Sequence, residues 1–215
     1  MTFRIGSRKH ELTRGAVVCL LLAALLAPGV PAQRGARRKR ARPARTRPDV
    51  IFVPTPPETV EEMLRLAELK EGDVLYDLGS GDGRIPIRAA EKYGVRAVGI
   101  EIDPKLVAES ERAARAAGVA DRVRFRRENL FRANFREATV VTLYLSETIN
   151  VALRPRLLRE LKPGTKIISH DFRMGDWEPE QWVKVPWRNL HRNVYVWTVP
   201  PGGRIKKSAT ARRKS

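Results

Sequence analysis

Thiol and imidazole groups are scarce in this sequence of 215 residues, which has one cysteine, Cys19, and three histidines. A single cysteine cannot form an intramolecular disulfide or a zinc site built on thiolates. The histidines His10, His170 and His191 stand far apart and lack the spacing of metal ligands. The sequence therefore predicts a protein that binds no metal ion.

Acidic residues are missing from two segments, although the whole chain carries a net charge of +18. Residues 33–48 (QRGARRKRARPARTRP) hold eight Arg or Lys, residues 201–215 hold six, and neither segment has an acid. We expect both to be basic disordered segments that can contact anionic lipid, nucleic acid or an acidic protein. Residues 49–200 between them are close to neutral, so the basic charge is no evidence for a fold that reads nucleic-acid sequence.

The apolar run near the start of the chain is short. Residues 16–27 (AVVCLLLAALLA) make twelve apolar positions, whereas a membrane-spanning helix needs about 20. Basic residues before the run and the small residues Val30 and Ala32 after it are the layout of a secretory signal peptide cut after Ala32. The eight positive charges that follow favour the alternative, a short uncleaved anchor with the body in the cytoplasm. Residues 1–32 are therefore predicted to be a signal peptide or a short membrane anchor.

Residues 49–200 alternate predicted strands with predicted helices. Strands are predicted at 73–78, 95–102, 122–126, 138–145 and 165–172, with a further strand pair late in the chain. Thr55 followed by Pro56 is typical of a helix start with Thr55 as the cap, and Asp103 followed by Pro104 is another. Helices are also predicted at 84–93 and around 149–161. This alternation predicts a mostly parallel α/β sheet covered on both faces, which binds ligands at the carboxyl ends of its strands.

A glycine-rich loop, YDLGSGDGR at residues 76–84, follows the first predicted strand. Its glycines at positions 79, 81 and 83 let the backbone approach a ligand closely. The flanking carboxylates of Asp77 and Asp82 disfavour a pyrophosphate and favour a cationic ligand. No Gly-Lys-Ser/Thr follows, which excludes a P-loop. The loop therefore predicts a site for a positively charged small molecule.

The two following strand ends add polar groups to this site. Glu101 ends the second strand in GIEID, where a carboxylate can accept hydrogen bonds from both ribose hydroxyls. Asn129 follows the third strand in ENLF and can meet an adenine edge. The inferred ligand has a ribose and a base, carries positive charge and lacks a pyrophosphate.

Together these motifs resemble the class I (seven-strand) S-adenosylmethionine-dependent methyltransferases, over roughly residues 52–199. The resemblance implies a Rossmann-like, doubly wound α/β sheet of seven strands, mostly parallel, with a reversed terminal strand. It also implies S-adenosyl-L-methionine as the cofactor. Cofactor contacts are then expected from Thr55, Asp77, Gly79, Ser80, Gly81, Asp82, Glu101 and Asn129.

A narrower similarity involves FVPTPPETVEEML, ahead of the loop, and DLGSGDGRI within it. Both resemble the group that includes the lysine methyltransferases of the ATP synthase c subunit. In that group the segment before the first helix closes over the cofactor, so Val53, Pro54 and Thr55 are expected to line the site.

Candidates for the methyl-acceptor side follow the fourth and fifth predicted strands, in LYLSETIN and ISHDF. They are Tyr144, Ser146, Glu147, Asn150, His170 and Asp171. Among the catalytic candidates Ser146, Glu147, His170 and Asp171, we favour Glu147 and Asp171 as carboxylates that orient a cationic amine. A structural role is the alternative for His170. The N-P-P-Y motif of enzymes that methylate nucleic-acid amines is absent, which disfavours base methylation.

The predicted function is S-adenosylmethionine-dependent methyl transfer, with a protein lysine as the favoured acceptor. Two alternatives stay open at this point: a methyltransferase acting on a small molecule, lipid or quinone, and a non-catalytic domain that binds the cofactor or a polyanion. The N-terminal pattern by itself predicts export or membrane association. Because S-adenosylmethionine is made in the cytoplasm, a cytoplasm-facing body on a short anchor fits the predicted function better.

Overall fold

The computed structural model describes residues 52–205. The predicted signal peptide or anchor, the basic linker at 33–48 and residues 206–215 of the basic tail lie outside the described residues. Within residues 52–205, no helix is both long enough and apolar enough to cross a membrane.

Seven strands form one sheet. They are β1 (Val74–Leu78), β2 (Arg96–Glu101), β3 (Val123–Arg127), β4 (Val140–Leu143), β5 (Lys166–His170), β6 (Gln181–Trp187) and β7 (Leu190–Thr198). Their order across the sheet is β3-β2-β1-β4-β5-β7-β6. Strands β1 to β5 are parallel, whereas β7 runs antiparallel to both of its neighbours. The predicted α/β fold, with seven strands and a reversed terminal strand, is confirmed.

Four α-helices cover the two faces of the sheet: α1 (Pro57–Ala67), α2 (Arg84–Tyr93), α3 (Pro104–Ala116) and α4 (Glu147–Glu160). Helices α1, α2 and α3 pack on one face, and their apolar side chains form one core cluster. Leu153 and Leu157 of α4 pack on the other face with Trp177 and Trp197. Strand β1 supplies side chains to both clusters and is buried along its whole length, as expected for a central parallel strand.

One predicted helix start is confirmed and another is wrong. Asp103 caps α3, and its carboxylate accepts the Lys105 N–H at 2.8 Å. Thr55 does not cap α1, which begins at Pro57 after Pro56 without a side-chain cap. The Thr55 hydroxyl is buried and lies 3.2 Å from Nδ1 of His170. A tertiary hydrogen bond therefore takes the group that local sequence rules assign to the cap.

Candidate active site

A cavity of about 510 Å³ opens at the carboxyl edge of the sheet, where β1, β2, β3 and β4 end. A volume of this size is typical of small-molecule sites. Seven of the eight predicted cofactor residues line it, and Gly81 is the exception. The seven are Thr55, Asp77, Gly79, Ser80, Asp82, Glu101 and Asn129.

The glycine loop after β1 is held close to the neighbouring strand. The N–H groups of Gly79 and Ser80 both donate to the carbonyl oxygen of Ile100, at 2.8 and 3.0 Å. Gly79 and Gly81 have φ values of 86° and 55°, in the left-handed region that side chains rarely adopt. A Cβ on Gly81 would overlap the Phe52 ring. The glycines are thus required both by backbone conformation and by space.

Glu101 connects the end of β2 to this loop. One carboxylate oxygen accepts the Gly81 N–H at 2.9 Å, and the other accepts the N–H groups of Ile102 and Asp103 at 2.7 and 2.9 Å. The side chain is buried and lines the cavity. Glu101 therefore shapes the glycine loop, a contribution that the motif alone does not reveal, and its predicted bond to a ribose remains a prediction.

Asp77 is a buried carboxyl group at the end of β1. The Thr142 hydroxyl donates to it at 2.8 Å. Burial raises the pKa of Asp77 to about 7, the Thr142 hydrogen bond acts in the opposite direction, and the nearby carboxylates of Glu101 and Asp82 raise the pKa further. A positive charge placed beside Asp77 would favour its ionised form.

Asp82 is paired within the chain. The Arg84 guanidinium binds the Asp82 carboxylate through Nε at 2.9 Å and Nη2 at 2.5 Å. Arg84 also donates from Nη1 to the carbonyl oxygen of Thr55 at 2.8 Å. Arg84 therefore connects the segment before α1 to the glycine loop, a contact that no local motif around Arg84 indicates.

These groups fit S-adenosylmethionine. Ser80 lines the cavity, and its buried Oγ has no hydrogen-bond partner among residues 52–205. Asp77 and Glu101 place carboxylates at the cavity wall, where a cationic amine and ribose hydroxyls are predicted to bind. Leu106, Leu130 and Phe131 add apolar wall beside Asn129, suited to a flat base.

None of the four predicted catalytic residues lines the cavity, whereas Tyr144 does. Ser146 is the N-cap of α4, and its hydroxyl accepts the Ile149 N–H at 3.2 Å. Glu147 begins α4 and is exposed to solvent. The structure thus places Tyr144 at the cavity wall, whereas Glu147, three residues further along the chain, lies on the protein surface.

His170 is buried behind Tyr144. The two rings are stacked with their centroids 3.8 Å apart, and Nδ1 of His170 faces the Thr55 hydroxyl. Burial lowers the pKa of His170 to about 4, the neighbouring Asp171 acts to raise it, and Arg192 lowers it. The imidazole is therefore neutral near pH 7 and supports the Tyr144 ring from behind.

Asp171 holds β7 in place. Its carboxylate accepts the Asn193 N–H at 2.8 Å and pairs with the Arg192 guanidinium at 3.0 Å. Its backbone has a positive φ of 58°. Among residues 52–205, no group of three histidine, cysteine or acidic side chains could hold a metal ion.

Comparison with known proteins agrees with this geometry. The ANTKMT methyltransferase domain family matches residues 77–181. A protein-lysine N-methyltransferase of Saccharolobus islandicus is 40% identical over 153 residues, which cover 71% of this chain and 95% of that protein. The human lysine N-methyltransferase of the ATP synthase c subunit is 33% identical over 129 residues, covering 60% of this chain but only 54% of the human protein.

A solved structure extends the similarity to three dimensions. The RNA methyltransferase from Salinibacter ruber, in complex with S-adenosyl-L-homocysteine, is 52% identical with a TM-score of 0.67. The match covers 73% of this chain and 99% of that protein. The sheet order, the glycine loop, Glu101 and these relatives lead to one conclusion: the chain belongs to the class I S-adenosylmethionine-dependent methyltransferases, in the group related to the lysine methyltransferases of the ATP synthase c subunit.

Proposed function

We propose that this protein transfers a methyl group from S-adenosylmethionine to a lysine side chain of a protein substrate. The names of the archaeal and human relatives support lysine as the acceptor, and the archaeal relative is matched over nearly its whole length. The chain spans about half of the human relative, so the particular protein that is methylated is not carried over from it.

The structural observation that carries the proposal is the wall of the cavity at Tyr144. Its ring lines the cavity at the end of β4 and is held by the stack on buried His170. Aromatic faces attract ammonium groups, including methylated ones. Glu147 lies exposed three residues further along and offers a carboxylate to an arriving lysine. An aromatic cavity wall, with an exposed carboxylate three residues further along the chain, suits a long cationic side chain that enters from a protein surface.

The residues of this chain bind and orient the reactants. When bound, S-adenosylmethionine supplies an electrophilic methyl group on a sulfonium sulfur, which a neutral amine accepts with loss of one proton to solvent. We assign Tyr144 to positioning the amine. We assign Asp171 to fixing β7, because its carboxylate is already engaged by Arg192 and Asn193.

RNA is the second candidate acceptor, because the Salinibacter relative carries the name RNA methyltransferase. The segment after β4 reads LYLSE and lacks an N-P-P-Y motif, which favours lysine over a base amine. Small molecules, lipids and quinones remain the other alternative acceptors. The non-catalytic alternative is a domain that binds the cofactor without transferring its methyl group.

The test uses the full chain, tritiated S-adenosylmethionine and an extract of the source cells. We expect the label in acid-precipitable material that protease releases and ribonuclease does not, with mass spectrometry placing the methyl group on lysine. Label released by ribonuclease would establish RNA as the acceptor instead, and label extracted by organic solvent would establish a lipid or small molecule. Cofactor binding without any transferred label would favour the non-catalytic alternative.

A matched pair of variants tests the cofactor site. Glu101→Ala removes the acceptor of three N–H groups and is expected to weaken binding of S-adenosylmethionine at least tenfold, on the scale of a lost buried charge-assisted hydrogen bond. Glu109→Ala removes an exposed carboxylate from α3 and should bind as the parent does. Calorimetric titration measures both, and Glu101→Gln shows whether one remaining carbonyl oxygen is enough to hold the loop.

We also propose that the catalytic body faces the cytoplasm, because its cofactor is made there. Finding a mature chain that begins at Gln33 outside the cytoplasm would contradict this.

A further inference from the structure

The hairpin of β6 and β7 continues beyond the rest of the sheet. The pairing of β5 with β7 ends where His170 faces Val194, but β6 and β7 stay paired as far as Trp187 and Leu190. Four residues of β7 therefore extend about 14 Å past the end of β5. Because β5 is parallel to β1, this extension lies at the carboxyl edge of the sheet, the edge at which the cavity opens.

The end of this hairpin combines positive charge with apolar surface. Residues 184–192, KVPWRNLHR, contain no acid. Arg192 is paired with Asp171 at 3.0 Å, and Lys184 lies beside the glutamates of α1, so among residues 52–205 the exposed Arg188 supplies the unpaired positive charge at the hairpin end. The Trp187 ring has the guanidinium groups of Arg188 and Arg192 at 4.8 and 4.3 Å from its centroid. Leu190 pairs with Trp187 across the hairpin and is 61% exposed. Tryptophan and leucine among arginines and lysines are typical of surfaces that sit at a membrane interface.

A second exposed apolar surface lies at the same edge. Phe52 and Val53 line the cavity and are 42% and 52% exposed. Thr55 contacts His170 at the end of β5, and His170 pairs with Val194 at the base of the hairpin extension. The segment before α1 and the hairpin therefore both lie at the end of β5.

The chain that precedes Phe52 joins the fold at this edge. It is 51 residues long and includes the apolar run at 16–27 and the eight positive charges at 33–48. Clusters of four to eight basic residues are attracted to anionic lipid headgroups. Residues 33–48 thus carry charge of the same sign as the hairpin end, and they belong to a chain segment that joins the fold at the same edge.

We propose that residues 184–192, together with Phe52 and Val53, rest on an anionic lipid bilayer and turn the mouth of the cavity toward it. A bilayer fits these residues better than RNA does, because lipid can bury Leu190 and Val53, whereas single-stranded nucleic acid stacks on aromatic rings. The proposal does not depend on the identity of the methyl acceptor, so failure of the lysine assignment leaves it intact.

The first test places an environment-sensitive fluorophore on the hairpin of the full chain. Asn189→Cys in a Cys19→Ser background carries the label at the hairpin end, and Lys70→Cys carries it at the opposite edge of the sheet, just before β1. Phosphatidylglycerol vesicles are expected to shift the emission at position 189 to the blue and to leave position 70 unchanged, while phosphatidylcholine vesicles change neither. If the protein sediments with phosphatidylglycerol vesicles and position 189 does not respond, other segments do the binding and the proposal is wrong.

The same labelled protein separates lipid from RNA. A shift at position 189 with polyuridylate but none with vesicles would make the hairpin a nucleic-acid surface and overturn the proposal.

The second test measures binding of unlabelled full chain to phosphatidylglycerol vesicles by sedimentation. Arg188→Glu combined with Leu190→Gln should lower vesicle binding about thirtyfold, since the reversal changes two unit charges and each charge near an anionic surface contributes about 1 kcal/mol. Lys70→Glu reverses the same charge at the opposite edge and should bind as the parent does. Equal loss in both variants would mean that net charge alone drives binding, which would refute a docking role for the hairpin.

Discussion

Buried His170, which lies behind the Tyr144 wall of the cavity, is expected to make the stability of the fold depend on pH. Its side chain is fully buried against Tyr144, and burial lowers its pKa to about 4 from an ordinary value of 6.5. Above pH 6.5 the imidazole is neutral in both the folded and the unfolded chain. Between pH 6.5 and 4, protons bind the unfolded chain first, so stability is lost as the pH falls. The difference amounts to on the order of 3 kcal/mol, of which about 2 kcal/mol is lost by pH 5.

The perturbation is His170→Gln, and the assay is urea unfolding of the full chain followed by circular dichroism at pH 7.5, 6 and 5. Between pH 7.5 and 5, the parent should lose about 2 kcal/mol more unfolding free energy than the variant, whatever the stability of the variant at pH 7.5. His191→Gln removes an exposed histidine and should follow the parent. Parallel pH profiles for the parent and His170→Gln would refute the reasoning.

Three further outcomes are expected. Binding of S-adenosylhomocysteine should weaken about tenfold from pH 8 to 6, because Asp77, with a pKa of about 7, takes up a proton. In Asp77→Asn the affinity measured by calorimetry should not depend on pH, and an unchanged pH dependence in this variant would contradict a role for the Asp77 carboxyl group. Gly81→Ala should weaken cofactor binding, because its Cβ displaces the Phe52 ring that lines the cavity, whereas Gly72→Ala, also at positive φ but in open space, should leave binding unchanged and cost about 1 kcal/mol in thermal unfolding. Tyr144→Ala should lower kcat/KM at least tenfold in methyl-transfer assays while leaving cofactor affinity unchanged, and Tyr144→Phe should retain activity, since the ring face makes the proposed contact.

The sheet and the position of the cavity at its carboxyl edge were predictable from the sequence because their signals are local. Buried parallel strands appear as short apolar runs, and the glycine loop must follow the first of them. Asp103 caps α3 with its own side chain, so a pattern a few residues long contains the whole interaction. Seven of the eight predicted cofactor residues line one cavity for the same reason, since each lies in the last two residues of a strand, in the loop after it, or just before a helix.

The wrong or incomplete predictions involve contacts between residues distant in sequence. Thr55 satisfies every local rule for a cap, yet its hydroxyl pairs with His170, 115 positions away. Asp171 looks like a free carboxylate in sequence, but Arg192 reaches it only once β7 has paired with β5. No pattern along the chain encodes these partners.

The order of strands also bears on how such enzymes diverge. The cavity residues that come from β1, β2, β3 and the loops after them lie between residues 77 and 131. Tyr144, His170 and the hairpin belong to β4, β5, β6 and β7 or follow them directly, on the other side of the β1–β4 boundary. Side-chain hydrogen bonds join the halves at the cavity, Thr142 to Asp77 and Thr55 to His170, so substitutions on the acceptor half that keep these two bonds can accumulate while the other half retains the methyl donor. A lineage built this way can change what it methylates by altering one half of a single sheet, and relatives named for lysine and for RNA are what such a history would leave behind.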